Sequence, residues 1–273
     1  MSFVDTQRSY GSHSLQTIKI FHYEESNETT FLYIHGGAWR DPNNTFDDFE
    51  EIAKEHVQLS NLSINIIGIN YRLSPEIKHP FHLLDVLEAI RYLYKTLGIK
   101  KASILGHSVG ATLMLQLLHY QEIVGLGFEN SSQVSPNQYL QELFDDIERN
   151  FTIDNLVFLD GIYDTIELLN EYPEYSSFVY EAFQSEEAVI DSTQPSSTRI
   201  PKESPFRLVD KKTKFRVVHS LQDELLTTKQ TQLVIKYLCD RNQPVKVIFD
   251  NFGQHEQVYR HHMARTLYLQ LTE

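Results

Sequence analysis

Cysteine occurs once in 273 residues, tryptophan once and methionine three times. The lone cysteine, Cys239, has no internal partner, which excludes a framework of intrachain disulfides. It falls in QLVIKYLCD at a spacing suited to the apolar face of a helix, so it is expected in the core as an inert thiol. Basic residues are few: 24 Lys and Arg stand against 37 Asp and Glu, a formal net charge of −13. A surface of that sign repels phosphate backbones and anionic headgroups, which argues against nucleic acid and against a membrane surface as partner. Long apolar runs are missing too, since no stretch approaches the roughly 18 residues a membrane span needs. The opening MSFVDTQRSYGSHSLQTIKIF has no basic segment followed by an apolar one, so no secretory leader is legible. The expectation is a cytoplasmic protein.

What is there is an ample supply of core. Hydrophobic residues make up 41% of the chain and aromatic residues 12%. The length suits one large α/β domain spanning 1–273 better than two small ones. Short apolar runs (TIKIFHY, TFLYIHG, INIIGIN, ASILGHS, LVFLDG, FRVVHS and VKVIFD) alternate with longer amphipathic stretches. That alternation predicts a mostly parallel central sheet flanked by crossover helices. Helices are expected over FDDFEEIAKEHVQL, FHLLDVLEAIRYLYKTL, VGATLMLQLLHYQ, TTKQTQLVIKYLCD and EQVYRHHMARTLYLQL. Two stretches interrupt the rhythm. Residues 125–151 read as a polar surface excursion that ends in a helix. Residues 163–210, aromatic at first and then rich in Ser and Pro, read as a small lid followed by a mobile connector.

Chemistry concentrates at three turns. GHSVG, Gly106 to Gly110, stands between the strand run ASIL and the helical run ATLMLQLL. A strand–turn–helix of this kind is the setting of a nucleophile elbow, which lifts Ser108 above the sheet edge and aims the Val109 N–H at a developing oxyanion. HGGAW, His35 to Trp39, follows the strand run TFLYI, and its paired glycines expose the N–H groups of Gly36 and Gly37 as further oxyanion donors, with Ala38 able to add a third. His35 itself reads as a loop organiser, because it precedes the nucleophile in the chain.

The general base is expected after a late strand. His255 follows VKVIFDNFG and fits, whereas His219, His261 and His262 are weaker rivals. The orienting acid is expected between Ser108 and His255, and Asp223 in FRVVHSLQDELL is favoured, with Asp160 and then Glu224 as alternatives. Ser108, Asp223 and His255 stand in the chain order used by the α/β-hydrolase fold.

YRLSPE, Tyr71 to Glu76, together with the upstream HGG, resembles the hormone-sensitive-lipase-like branch of that fold. In that branch the element braces the loops around the serine, so Arg72 and Glu76 are expected to be structural. The chain departs from the branch's esterases in two places, with Ala38 where they carry a third glycine and with His107 and Val109 inside the elbow. HGGAW with GHSVG, then LDGIYD, EYPEY and HSLQDELL, resembles the fungal kynurenine formamidases (arylformamidases) from about Tyr33 to His255. The resemblance implies hydrolysis of N-formyl-L-kynurenine to L-kynurenine and formate, a step of tryptophan breakdown that feeds NAD synthesis, with no cofactor and no metal. It also implies the same triad and oxyanion donors.

A formyl group asks little of an acyl pocket, so specificity must lie in the aryl leaving group. Trp39, beside the oxyanion loop, is placed to stack on that ring, and Tyr163, Tyr172 or Tyr175 to roof it. A carboxylesterase with another pocket is the nearer rival reading. A non-catalytic small-molecule receptor is the more distant one.

Overall fold

A computed structural model of the protein describes residues 6–59, 63–131, 134–192, 195–263, 265 and 268. Eight strands form a single sheet: β1 (Thr6–Ser9), β2 (Thr17–His22), β3 (Thr29–Ile34), β4 (Ile64–Ile69), β5 (Lys101–His107), β6 (Thr152–Leu159), β7 (Lys214–Ser220) and β8 (Val245–Asp250). Their spatial order is β1-β2-β4-β3-β5-β6-β7-β8. β1 with β2 and β2 with β4 run antiparallel, and every later pair is parallel. This is the α/β-hydrolase arrangement. All seven expected strands are present. β1 was not expected, because TQRS is a short and mostly exposed edge with no apolar alternation to betray it.

The central strands are apolar on both faces because helices cover both. All six residues of β4 are buried, as parallel strands between two helical layers require. α2 (Phe81–Leu97) buries ten of its residues and ends on Gly98, whose left-handed φ of 69° closes the helix with a bond to the Leu93 carbonyl. Phe49, α1 (Glu50–Leu59) with Ile52, and the C-terminal segment with Val258, Tyr259 and Tyr268 cover the other face.

Several expectations change. The helix expected over 109–121 is two, α3 (Val109–Leu117) and α4 (Tyr120–Glu129). Between them the N–H groups of Leu118 and His119 reach back only three residues, to Leu115 and Gln116, and the chain turns. The supposed excursion is mostly packed structure, since α5 (Asn137–Asn150) seats Leu140, Leu143, Phe144 and Ile147 in the core. On α9 (Thr228–Cys239) the buried face runs through Gln230, Thr231, Val234, Tyr237 and Leu238, so Cys239 lies one step past it and is exposed, not in the core. The helix expected over 256–271 opens as turns through Arg260, and much of the remainder lies outside the described residues.

Residues 163–210 contain three short helices: α6 (Thr165–Glu171), α7 (Ser176–Ala182) and α8 (Glu186–Ser192). Phe178, Val179, Phe183 and Val189 from this stretch pack with Trp39, Val109, Ile162 and Leu226 in a cluster of their own. Those four partners stand just past the C-terminal ends of β3, β5, β6 and β7, so the helices lie over the end of the sheet where the chemistry-bearing turns gather. The connector that follows is anchored: Arg199 contacts Asp191 at 2.9 Å and also binds Glu129, and Ile200 is buried in the main core. Residues 193 and 194 lie outside the described set.

Candidate active site

The turn after β5 is forced. Ser108 adopts φ 53° and ψ −122°, a left-handed conformation that an L-residue holds only under tertiary constraint. Its N–H donates to the Leu159 carbonyl at 3.0 Å, and its carbonyl accepts from Ala111 and Thr112 to begin α3. Gly110 sits so close to the neighbouring strand β3 that a β-carbon there would stand 2.2 Å from the Ile34 carbonyl oxygen. Val109 is the first residue of α3, a position whose N–H has no intrahelical acceptor. Ser108 is 6% exposed and His255 is 3% exposed.

The turn after β3 faces it. Gly37, Ala38 and Trp39 all take positive φ (89°, 50° and 59°), so three consecutive left-handed residues curl the chain back. Tyr71 braces the curl from below, its hydroxyl lying 3.0 Å from both the His35 and the Gly36 carbonyl oxygens. The His35 ring stacks on Tyr71 with centroids 4.3 Å apart. Burial lowers the pKa of His35 to about 4 although its bond to the Gly36 carbonyl opposes the shift, so the ring is neutral and organises the loop as expected. Arg72 and Asp85 form a paired-contact salt bridge with nitrogen–oxygen distances of 2.9 and 2.6 Å, which holds the YRLSPE segment against α2.

Asp223 and His255 meet in the loops after β7 and β8. His255 Nδ1 donates to Asp223 Oδ2 at 2.8 Å, while Asp223 Oδ1 accepts from the N–H groups of Leu225 and Leu226 at 2.8 and 2.9 Å. Both side chains are almost fully buried. Burial opposes charging the imidazole, but the hydrogen bond and charge of Asp223, with Asp160 and Glu256 beyond it, outweigh that and raise the His255 pKa above its ordinary value.

The weighed alternatives find other partners. Asp160 is engaged by His219 at 3.1 Å and by the Ser220 N–H at 2.8 Å, and burial raises its pKa. Glu224 accepts the backbone N–H of His255 at 2.9 Å, so it secures the loop of His255 and not its ring. His261 and His262 lie ring against ring, 4.8 Å between centroids, on the C-terminal turn.

Some placements were not legible beforehand. His107 is fully buried with its ring 4.6 Å from that of His255, and burial followed by His255's charge holds it well below the usual histidine pKa. Asn44 packs beneath Gly37 and donates from Nδ2 to both Asp48 and Glu256 at 3.0 Å, which ties the turn after β3 to the residue after His255. Trp39 is 1% exposed and packs edge-on to Phe183 at 5.2 Å, under α7. Tyr163 is 1% exposed with its ring in the main core against Phe158, so the side chain points away from any roof. Tyr172 and Tyr175, between α6 and α7, stack on each other at 5.0 Å. Donor atoms of His107, His255 and Glu256, and of Asp160, His219 and Asp223, come within 4.8 Å of one another. A cation at either group would compete with contacts already made, because His255 and His219 each face a carboxylate.

Comparison with known proteins accords with this geometry. Over 92% of this chain and 93% of its own length, the kynurenine formamidase of Scheffersomyces stipitis is 48% identical. The chain belongs to the kynurenine formamidase family. A more distant family member, from Saccharomyces cerevisiae, is 34% identical over 90% of this chain and 89% of its own. The family model BD-FAE matches residues 18–238, which includes Ser108 and Asp223 and stops short of His255. Among solved structures, esterase B from Lactobacillus rhamnosus superposes with a TM-score of 0.68 at 16% identity, covering 97% of this chain and 83% of that one. A truncated carbohydrate esterase from gut microbiota gives 0.66 at 17% identity, covering 98% and 95%. At such identities the structures speak for the α/β-hydrolase fold alone. Among the described residues no helix is long and apolar enough to cross a membrane.

Proposed function

We propose that the chain hydrolyses the formamide of N-formyl-L-kynurenine, releasing L-kynurenine and formate through a formyl-serine intermediate. Family membership supports the substrate. The residue roles rest on one observation above all: the 2.8 Å contact between Asp223 and His255, two residues from separate loops, beside the turn that carries Ser108.

In this reading Ser108 Oγ attacks the formyl carbon as His255 accepts its proton, and Asp223 holds the imidazole and stabilises its positive charge. The N–H groups of Gly36, Gly37 and Val109 surround the oxyanion; losing one such donor typically costs roughly 10²–10³ in kcat. His255 then gives its proton to the aryl nitrogen, the carbon–nitrogen bond breaks and L-kynurenine leaves. Water, deprotonated by His255, cleaves the formyl ester, and formate departs as Ser108 regains its proton.

The leaving group is far larger than the acyl group, so its site must be built from the cap. Trp39 forms the wall of that site nearest the oxyanion loop, and Tyr163 supports it from the core side. With Ser108 only 6% exposed, α6 to α8 act as a lid that shifts to admit substrate. A single cysteine suits a reducing compartment such as the cytoplasm.

The test follows ultraviolet absorbance as the protein and a Ser108→Ala variant are incubated with N-formyl-L-kynurenine, with p-nitrophenyl acetate in parallel. Deformylation that vanishes in the variant is the expected result. Ester cleavage with negligible deformylation would instead assign the chain a carboxylesterase role, and no activity on either would make it a binding protein.

A further inference from the structure

We infer that Ser220 is a positioning residue whose hydroxyl sets the geometry between Asp223 and His255. The inference rests on the reading above, in which those two side chains serve as acid and base. Ser220 is the last residue of β7 and is fully buried. Its Oγ donates to the Gly253 carbonyl at 2.5 Å and accepts the N–H groups of Phe252 and Gln222 at 3.2 and 3.3 Å. Gln222 immediately precedes Asp223, and Phe252 and Gly253 lie just before His255. One oxygen atom therefore ties the loop of the acid to the loop of the base.

The anchor is itself anchored. The Ser220 N–H donates to Asp160 Oδ1 at 2.8 Å, which fixes it to the end of β6, and its carbonyl accepts the Asp223 N–H at 3.1 Å. Gln222 Oε1 accepts the Gly253 N–H at 3.0 Å and closes a second link between the same two loops. The β7–β8 ladder runs on only as far as the Leu221 N–H, which donates to the Asp250 carbonyl at 2.8 Å, so side-chain contacts hold Asp223 opposite His255 beyond it. Productive geometry tolerates only about 0.5 Å of error, and misplacement of about 1 Å can cost as much as 10²-fold in rate. Removing the hydroxyl takes away the shared partner of Gly253, Phe252 and Gln222 and loosens the loops, which stay joined through Leu221, Gln222 and Glu224.

The consequence is visible in titration. The groups that face His255 are Asp223 on its ring, Glu224 on its N–H, Glu256 in its own turn, His107 on the elbow and Asp160 behind Asp223, with His219 paired to Asp160. Asp223 acts through the shortest contact, so loosening it lowers the His255 pKa. In Ser220→Ala, kcat should fall roughly 10- to 100-fold with KM within about twofold of wild type. The acid limb of kcat/KM should move to lower pH, and the low-field proton signal of the His255 Nδ1–H should weaken or shift upfield. Ser220→Cys, a weaker donor and acceptor, should fall between, and carries the same measurements if the alanine variant does not fold. A variant that melts lower yet keeps the wild-type pH limb, proton signal and kcat would reduce Ser220 to a structural residue and overturn the inference. Ser108→Ala and Asp223→Asn are assayed alongside. If those two retain deformylation, the reading of acid and base is what fails; if they lose it while Ser220→Ala stays at wild type, only the positioning role falls.

Discussion

A β-carbon added to Gly36 would stand 3.0 Å from the β-carbon of Ser108. The turns after β3 and β5, whose residues 36 and 108 are 72 positions apart, are thus packed to the limit that glycine allows. Gly36→Ala should push Ser108 or His107, whose Nδ1 is equally near, by a few tenths of an ångström. Deformylation should fall at least about 10-fold through misalignment, with overpacking costing about 1–3 kcal/mol of stability. Steady-state kinetics beside a urea midpoint test this, and wild-type kcat in the variant would contradict it.

Ser108 is held at φ 53°, where a β-carbon is strained. Two inactive variants separate the strain from the chemistry. Ser108→Gly should be more stable than Ser108→Ala by about 1 kcal/mol, because glycine adopts this conformation without penalty. Equal melting of the two would mean that the turn stores no strain.

Catalysis in this scheme needs His255 neutral, and its pKa is raised above the ordinary value despite burial, chiefly by Asp223. The profile of kcat/KM should therefore lose activity as pH falls, with its half-maximal point above about 6.5. Asp223→Asn removes the cause, so the limb should move down while kcat drops by about 10⁴. A limb below pH 6 in the native enzyme would be inconsistent with the contact seen here.

Stability should depend on pH through other histidines. Burial lowers the pKa of His35 and His56 to about 4, and of His79 and His82 to about 3. In the unfolded chain they titrate near about 6.5, so the unfolded state takes up more protons as pH falls from there toward 4 and 3. The stabilising contribution is complete above the unfolded value and is lost on acidification. Asp48, raised by burial to about 6, works in the opposite direction and offsets part of it. The net loss between pH 7 and pH 5 should be at least about 2 kcal/mol, read as a lower urea midpoint at constant slope. An unchanged midpoint would mean that these rings are charged or exposed in the fold.

Much of the site was legible because its backbone constraints are local. An elbow needs small residues at fixed offsets around its serine, and a loop of left-handed residues needs glycine, so GHSVG and HGGAW announce themselves within five residues each. Strand runs buried on both faces read as apolar words. The expected strand end favours Asp223 over Asp160 in the sequence, and in the structure Asp223 lies 2.8 Å from His255.

Other features had no local signature. β1 is four residues without alternation, and Cys239 lies one helical step from a face whose true edge depends on what packs there. Tyr163 belongs to an aromatic stretch that reads as cap, yet its ring turns inward to the core.

The sequence by itself determined the fold class and the family, and it singled out three candidate turns, because each depends on residue types at short spacing. Only the tertiary structure decided which carboxylate supports which histidine. It alone placed Glu224 on the His255 backbone, Asn44 between two loops and Ser220 at their junction. Those contacts join residues 31, 212 and 33 positions apart, as between Glu224 and His255, Asn44 and Glu256, and Ser220 and Gly253. A hydrogen bond has a reach of about 3 Å, and no pattern along the chain encodes which distant loops the sheet will bring within it.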